Sequence, residues 1–420
     1  MKQSDLVNIG SRFQVIGISS FLISGAPGHY ESFHKALFQG LQQHNRVEKS
    51  SYLGSRQNQW KDDIWYMPLV PSSLTRKFKV ADLKYFKTLL DLAKTNSSNS
   101  PKVFVVYEGG LYTVYLFSAL LRLCPNAIAI VNIFDNQQHA GLLESKFKSG
   151  IFRAFLKIAM RGVENQLALT GDTFRFASKM QDSTKTSIDV FPMFSILQPS
   201  NTKTRGSREF LINLRGSFSA NKLLEVCKLV GIQNLPEITV HGGPIPDQIK
   251  IALTQFDSLK FSEGHISESN YQLMFPKFKS VVFLYNPESF SYCSSGRLFD
   301  AIVSESKLIV PSDTALADFA KVYGNASAFD FNKITELADI FLGKSEFSRK
   351  SNAQIPTVQN AIQSLILIAE KCRKKERSTN LSINFWIVAT LGWLTSQVVF
   401  LLCAVKSRVK YKIMLTFGKK

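Results

Sequence analysis

Short apolar runs alternate along this chain with longer stretches whose apolar residues recur every three to four positions. Runs such as FQVIGISSFLI (13–23), KVFVVY (102–107), AIAIVNI (127–133), NQLALTGD (165–172) and SIDVFP (187–192) read as strands. Their near-continuous apolarity, in place of strict alternation, is what strands covered on both faces require. Between them, ESFHKALFQGLQQH (31–44) sets Phe33, Ala36, Leu37, Gly40 and Leu41 on one helical face, and LYTVYLFSALLRL (111–123) and LLESKFKSGIFRAFLKIAMRGVE (142–164) continue the alternation. The same rhythm restarts at FLINL (210–214): ANKLLEVCKLVG helix, ITVHGG strand, IPDQIKIAL helix, then LKFSEGHI, ESNYQLMFPKF, the strand-like SVVFLY, a helical pattern from Gly296, the apolar run KLIVP, and AFDF and ITELADIFLG. IPTVQNAIQSLILIAEKC (355–372) predicts a terminal helix able to pack back on the preceding domains. Alternating strands and helices predict an α/β chain with a mostly parallel sheet in each half.

QPSNTKTRGSRE (198–209) is polar, basic and without apolar periodicity, so it reads as a linker. The domains are then 1–200 and 206–370, followed by a tail, 371–420. The tail changes the picture of charge. The formal net charge is +19, and about half of it falls in the tail, which holds eleven Lys and Arg and the single acid Glu376. Within it, residues 383–405 carry no charge and would form a helix roughly 34 Å long, enough to cross a bilayer core. Basic clusters stand on both sides, so the segment reads either as a span or as a dip that returns to the same face. Charge gathered around an apolar segment points to a membrane and away from nucleic acid. The five cysteines are far apart, with no CxxC, which reads as reduced thiols and excludes a zinc or disulfide framework.

Ligands of open parallel sheets bind at the carboxyl ends of strands, where helix N-termini offer free N–H groups to anions. After FLINL come Arg215, Gly216 and, on the next helix, Lys222, which could converge on a diphosphate or stand as two solvated cations. After SVVFLY, the loop holding Glu288 leads to Ser294, Ser295 and Gly296 at a helix start. A serine there could simply cap the helix, or leave the first N–H groups to a phosphate. Asp300, one turn further, suits ribose hydroxyls. In the first half, the glycine loop with Gly25, Gly28 and His29 follows the first strand, and EGG (108–110) and FDNQQHAG (134–141) follow later ones, with Asp135 and His139 as candidate bases. P-loop, GxSxG, HExxH and GxGxxG motifs are absent, and no metal motif is present.

With NLRGSFSANK, HGG, EGHI, FKSVVFLY and FDAIVSESKLIVP in this order, residues 13–370 resemble the GT-B glycosyltransferases of the group-1, GT4-like kind. The family's paired acids are eight residues apart; Asp300 takes the second position and Tyr292 stands at the first. Asp135 falls where the family has an aspartate in the first domain, with Phe134 in place of its histidine and His139 four residues on. The resemblance implies two Rossmann-like domains facing across a cleft and transfer of a sugar from a nucleotide diphosphate sugar to an acceptor, with retention. The donor would lie on the second domain (Arg215, Gly216, Lys222, Ser294, Ser295 and Gly296 at the diphosphate, Asp300 and Glu288 at ribose and sugar). The acceptor would lie on the first, near Gly25, Gly28 and His29. No cofactor or obligatory metal is implied. With the tail, this suggests a lipid-linked or surface-polysaccharide acceptor at a membrane, the catalytic domains on the cytoplasmic side. A nucleotide-sugar epimerase on the same fold, or a non-catalytic membrane scaffold derived from it, are the alternatives.

Overall fold

The computed structural model describes residues 12–19, 30–54, 64–66, 80–95, 100–133, 140–141, 143–144, 146–191, 193–195, 208–215, 217–242, 245–262, 274–344 and 356–374. The chain divides into two compact units. The first carries a parallel sheet of seven strands: β1 (Phe13–Ser19), β2 (Val47–Gly54), β3 (Ile64–Tyr66), β4 (Lys102–Gly109), β5 (Ala127–Ile133), β6 (Leu167–Gly171) and β7 (Ile188–Val190). Their spatial order is β3-β2-β1-β4-β5-β6-β7. The second unit carries a parallel six-stranded sheet of β8 (Arg208–Leu214), β9 (Ile238–Gly242), β10 (Leu259–Ser262), β11 (Phe278–Leu284), β12 (Lys307–Pro311) and β13 (Asn325–Phe329), in the order β10-β9-β8-β11-β12-β13. Each sheet is therefore doubly wound, and its strand order reverses once, between β1 and β4 or between β8 and β11.

Both sheets are covered on two sides, which is why β1 and β5 are buried along their whole length. In the second unit the two faces separate by alternation. Ile212, Leu214, Val282 and Leu284 pack with the helices Ser217–Val230 and Ile334–Phe341, whereas Leu211, Val281 and Phe283 pack with Gly296–Val303 and Ala315–Tyr323. Gly242 ends β9 with φ +142, and a Cβ there would lie 2.2 Å from the Leu214 carbonyl oxygen. The glycine of HGG thus lets the ends of β8 and β9 close together.

Three departures from the sequence reading stand out. β2 is written VEKSSYLG, with Ser50 and Ser51 buried, and β3 has three residues, so neither offers an apolar run. The helices Val80–Lys94 and Phe174–Thr184 were likewise not foreseen. The division of the chain also differs from 1–200 and 206–370. The second unit begins at Met193, takes in Thr173–Arg175 and ends at Val358, while residues from Gln359 group with the first. The cause is the helix Val358–Lys374, whose Ile362, Leu365, Ile366 and Ala369 are buried. It is tied to the first unit through Arg46 and Glu370, His44 and Gln363 (3.4 Å), and Lys371 and Asp189 (3.4 Å). Among the described residues no helix is long and apolar enough to cross a membrane. The segment 383–405 lies outside them.

Candidate functional site

At the reversal of the second sheet, β8 delivers Arg215, exposed, with its guanidinium 5.0 Å from the centre of the Phe290 ring. Phe290 closes the short helix Pro287–Phe290 that follows β11; Asn286 caps that helix by accepting from the Glu288 N–H, and the Glu288 side chain is exposed. Ser295 sits at the N-cap of Gly296–Val303 in extended conformation, yet its side chain makes no cap bond. Ser295 thus does not cap this helix through its side chain; its carbonyl accepts from the Leu298 N–H at 3.0 Å, which leaves the N–H groups of the first two helical residues to other acceptors. Gly216 lies outside the described residues.

Two expected donor contacts are placed differently. Lys222 is ion-paired through Nζ to Glu225 at 2.8 Å and lies 5.9 Å over the Phe331 ring. Asp300 is 2% exposed, and its Oδ1 accepts from Ser195 Oγ at 2.6 Å. The carboxylate expected to meet ribose is buried because its helix turns that face inward, with Phe299 and Ala301 beside it also buried. Tyr292, at the family's first acid position, accepts through its carbonyl from Thr173 Oγ1 at 2.9 Å.

Three further residues meet at this edge, none of them assigned a role from sequence, although Arg297 follows Gly296 at the helix start noted there. Arg297 donates from Nη1 to Asn213 Oδ1 at 3.1 Å. Asn213 is fully buried next to the end of β8, in register with His241 of β9 and Phe283 of β11. Its Nδ2 finds no partner among the described residues. His241 gives its Nδ1 proton to the Ser262 carbonyl at 3.0 Å, and burial, reinforced by the positive Arg297, lowers its pKa. The available signal was an asparagine inside the apolar run FLINL.

The first sheet's reversal holds a buried polar network. Ser19 ends β1 and donates to Glu108 Oε1 at 2.9 Å; His34 Nε2, from the helix Tyr30–Gln43, lies 3.0 Å from Ser19 Oγ and 3.2 Å from Glu108 Oε1. All three are at most 3% exposed. Glu108 falls where the β4–β5 register shifts between Val106 and Gly109, an irregularity that re-aims side chains. His34 Nδ1 has no partner among the described residues. Beside it, the Tyr52 and Tyr107 hydroxyls meet at 2.8 Å, and burial holds both phenols well above their ordinary pKa. Asn132 Nδ2 donates to the Tyr107 carbonyl and to Asp172 Oδ1, each at 2.8 Å. Burial, with a smaller push from Glu108, raises the Asp172 pKa to about 6 against the lowering effect of the Asn132 bond. His34 was legible as the polar neighbour of Phe33 and Leu37 on an apolar helix face. Asp135, His139, Gly25, Gly28 and His29 lie outside the described residues. Among the described residues no three His, Cys, Asp or Glu side chains converge as a metal site would need.

Two Rossmann-like units in one chain, each with its polar residues gathered where strand order reverses, define a GT-B class of fold. Solved structures with this fold include the Anabaena protein HepE in complex with UDP and glucose (TM-score 0.53, 9% identity, covering 86% of this chain and 98% of that one). They also include a putative UDP-N-acetylglucosamine 2-epimerase from Listeria monocytogenes (0.52, 10%, 89% and 100%) and sucrose-phosphate synthase from Thermosynechococcus elongatus (0.50, 12%, 97% and 100%). No protein-family model matches the chain. No curated protein matches it in sequence.

Proposed function

We propose that the protein is a glycosyltransferase. It takes a nucleotide diphosphate sugar on its second unit, breaks the bond between the anomeric carbon and the diphosphate, and joins that carbon to an acceptor hydroxyl. The nucleoside diphosphate leaves, and the hydroxyl proton leaves with it or to solvent. The observation that carries this reading is the edge of the second sheet at the strand-order reversal, which holds Arg215 over Phe290 and a helix start whose Ser295 makes no cap bond. A guanidinium and free N–H groups are what a diphosphate leaving group needs, and they need no metal to offset its charge. The GT-B fold, shared with a protein crystallised with UDP and glucose, agrees with it.

The acceptor belongs to the first unit, whose sheet edge is polar and hydrogen-bonded. The basic, apolar tail 371–420 suits a lipid-linked or surface-polysaccharide precursor at a membrane, with both units on the cytoplasmic side. Retention of configuration follows from the same family resemblance, and the anomer of the product tests it by NMR. Melting temperatures with UDP-, GDP- and ADP-sugars test the donor site. At least one should stabilise the protein and, with an acceptor extract, release its nucleoside diphosphate. Absence of any shift at millimolar ligand would overturn the proposal. An epimerase, the reading suggested by the Listeria protein of the same fold, would instead convert the donor sugar with no acceptor present.

A further inference from the structure

We propose that Arg297, positioned by the buried Asn213, binds the donor diphosphate together with Arg215, in the place the sequence assigned to Lys222. This rests on the glycosyltransferase reading and adds to it a residue that neither motif nor spacing singled out as a site.

The two candidate cations differ in where their charge is already used. Lys222 is closed into an ion pair with Glu225 one helical turn away, and its ammonium lies 5.9 Å over the Phe331 ring. Recruiting it would mean breaking that pair. Arg297 has no such partner: among the described residues its only hydrogen bond goes to a neutral amide oxygen, and no carboxylate lies within ion-pairing range. It spends one of five N–H donors there, leaving the rest of a planar fork suited to phosphate oxygens. A half-buried guanidinium without a counter-ion is unfavourable unless an anion completes the site.

Asn213 supplies the second, independent observation. Its Oδ1 fixes Arg297, while its Nδ2, fully buried, has no acceptor among the described residues. Buried amide donors are almost always satisfied, so an unsatisfied one beside an unpaired cation marks a place for an oxygen-rich ligand. The neighbouring groups fit an anion. His241 spends its Nδ1 proton on the Ser262 carbonyl, and its lowered pKa keeps the ring neutral beside Arg297. The Asp300 carboxylate is engaged with Ser195. Arg297 is also the second residue of the helix whose Ser295 makes no cap bond, so its backbone and side chain come from the same anion-binding turn.

Calorimetric titration with UDP, GDP, ADP and inorganic pyrophosphate tests this on the full chain. Arg297→Gln removes the charge but keeps an amide donor for Asn213 Oδ1, so the fold has little reason to fail, and a melting curve checks it. For whichever diphosphate binds, R297Q should weaken affinity about tenfold or more, as loss of a charge-assisted pair does, while R297K recovers part of it. Lys222→Ala should change affinity less than about twofold, within the spread of exposed ion pairs. The parent nucleoside, lacking phosphate, should bind wild type and R297Q alike. If wild type binds a diphosphate and R297Q binds it equally well, or if K222A is the variant that loses it, this assignment falls and the glycosyltransferase reading stands. If wild type binds none of the four, both fall.

Discussion

Replacing Asp172 by asparagine should stabilise the protein at neutral pH. The carboxyl follows β6, keeps some contact with solvent, accepts from Asn132 and feels the charge of Glu108. Burial raises its pKa from 3.8 to about 6. A group whose pKa is raised on folding contributes stability that is fully present below the unfolded value and lost as pH rises through the folded one. About two units at roughly 1.4 kcal/mol each sets an upper limit of about 3 kcal/mol between pH 4 and 7, and its solvent contact argues for a figure nearer 1–2 kcal/mol. The substituted amide keeps an acceptor for Asn132 and carries no charge, so D172N should escape the loss. Melting temperatures of both proteins from pH 4 to 8 measure it. The variant should melt several degrees higher at pH 7, with the gap closing toward pH 4, given about 2–4 °C per kcal/mol for a unit of this size. A D172N protein that melts at or below wild type at pH 7, or a gap independent of pH, would refute the burial argument.

Other changes follow from single contacts. Gly242→Ala places a methyl 2.2 Å from the Leu214 carbonyl in a left-handed backbone region, so it should cost about 1–3 kcal/mol or more and lower the melting temperature of the second unit. His34→Ala leaves Glu108 with one hydrogen-bond donor fewer in a buried site; urea denaturation should show a loss of about 1–3 kcal/mol. Leu365→Ala should cost about 2–5 kcal/mol and register as faster amide exchange in the first unit, because its helix packs there. Glu370→Ala, which breaks only a partly exposed pair with Arg46, should change denaturant stability by less than about 1 kcal/mol.

The strands that sequence reveals are those buried on both faces. β1, β4, β5, β8 and β11 announce themselves because burial on two sides favours long apolar runs, broken only by a few hydrogen-bonded polar residues. β2 sits one position outward, pairs with the three-residue β3, and carries VEKSSYLG; its buried serines are invisible to any apolar count. The helix Val358–Lys374 shows a different limit. Its amphipathic pattern was plain, but the pattern says only that a face must be covered, not which sheet covers it. Chain order favours the adjacent unit, and the structure puts it on the other through Arg46, His44 and Asp189.

The sites divide along the same physical line. Positions fixed by backbone geometry could be read: HGG does bring two strand ends together, and Ser295 does stand at a helix start. Positions fixed by which way a side chain turns could not. Asp300 and Arg297 are three residues apart on one helix, only about 60° apart around its axis, and nothing in GRLFDAIVSES says which of them faces the core. The core decides: Leu298, Phe299, Ala301 and Ile302 are buried, which carries Asp300 inward to Ser195 and leaves Arg297 half-buried against Asn213. A charge aligned with a family motif is therefore informative only once the apolar residues around it have fixed the helix's rotation. In this chain that rotation exchanges the expected carboxylate for a cation at the same sheet edge.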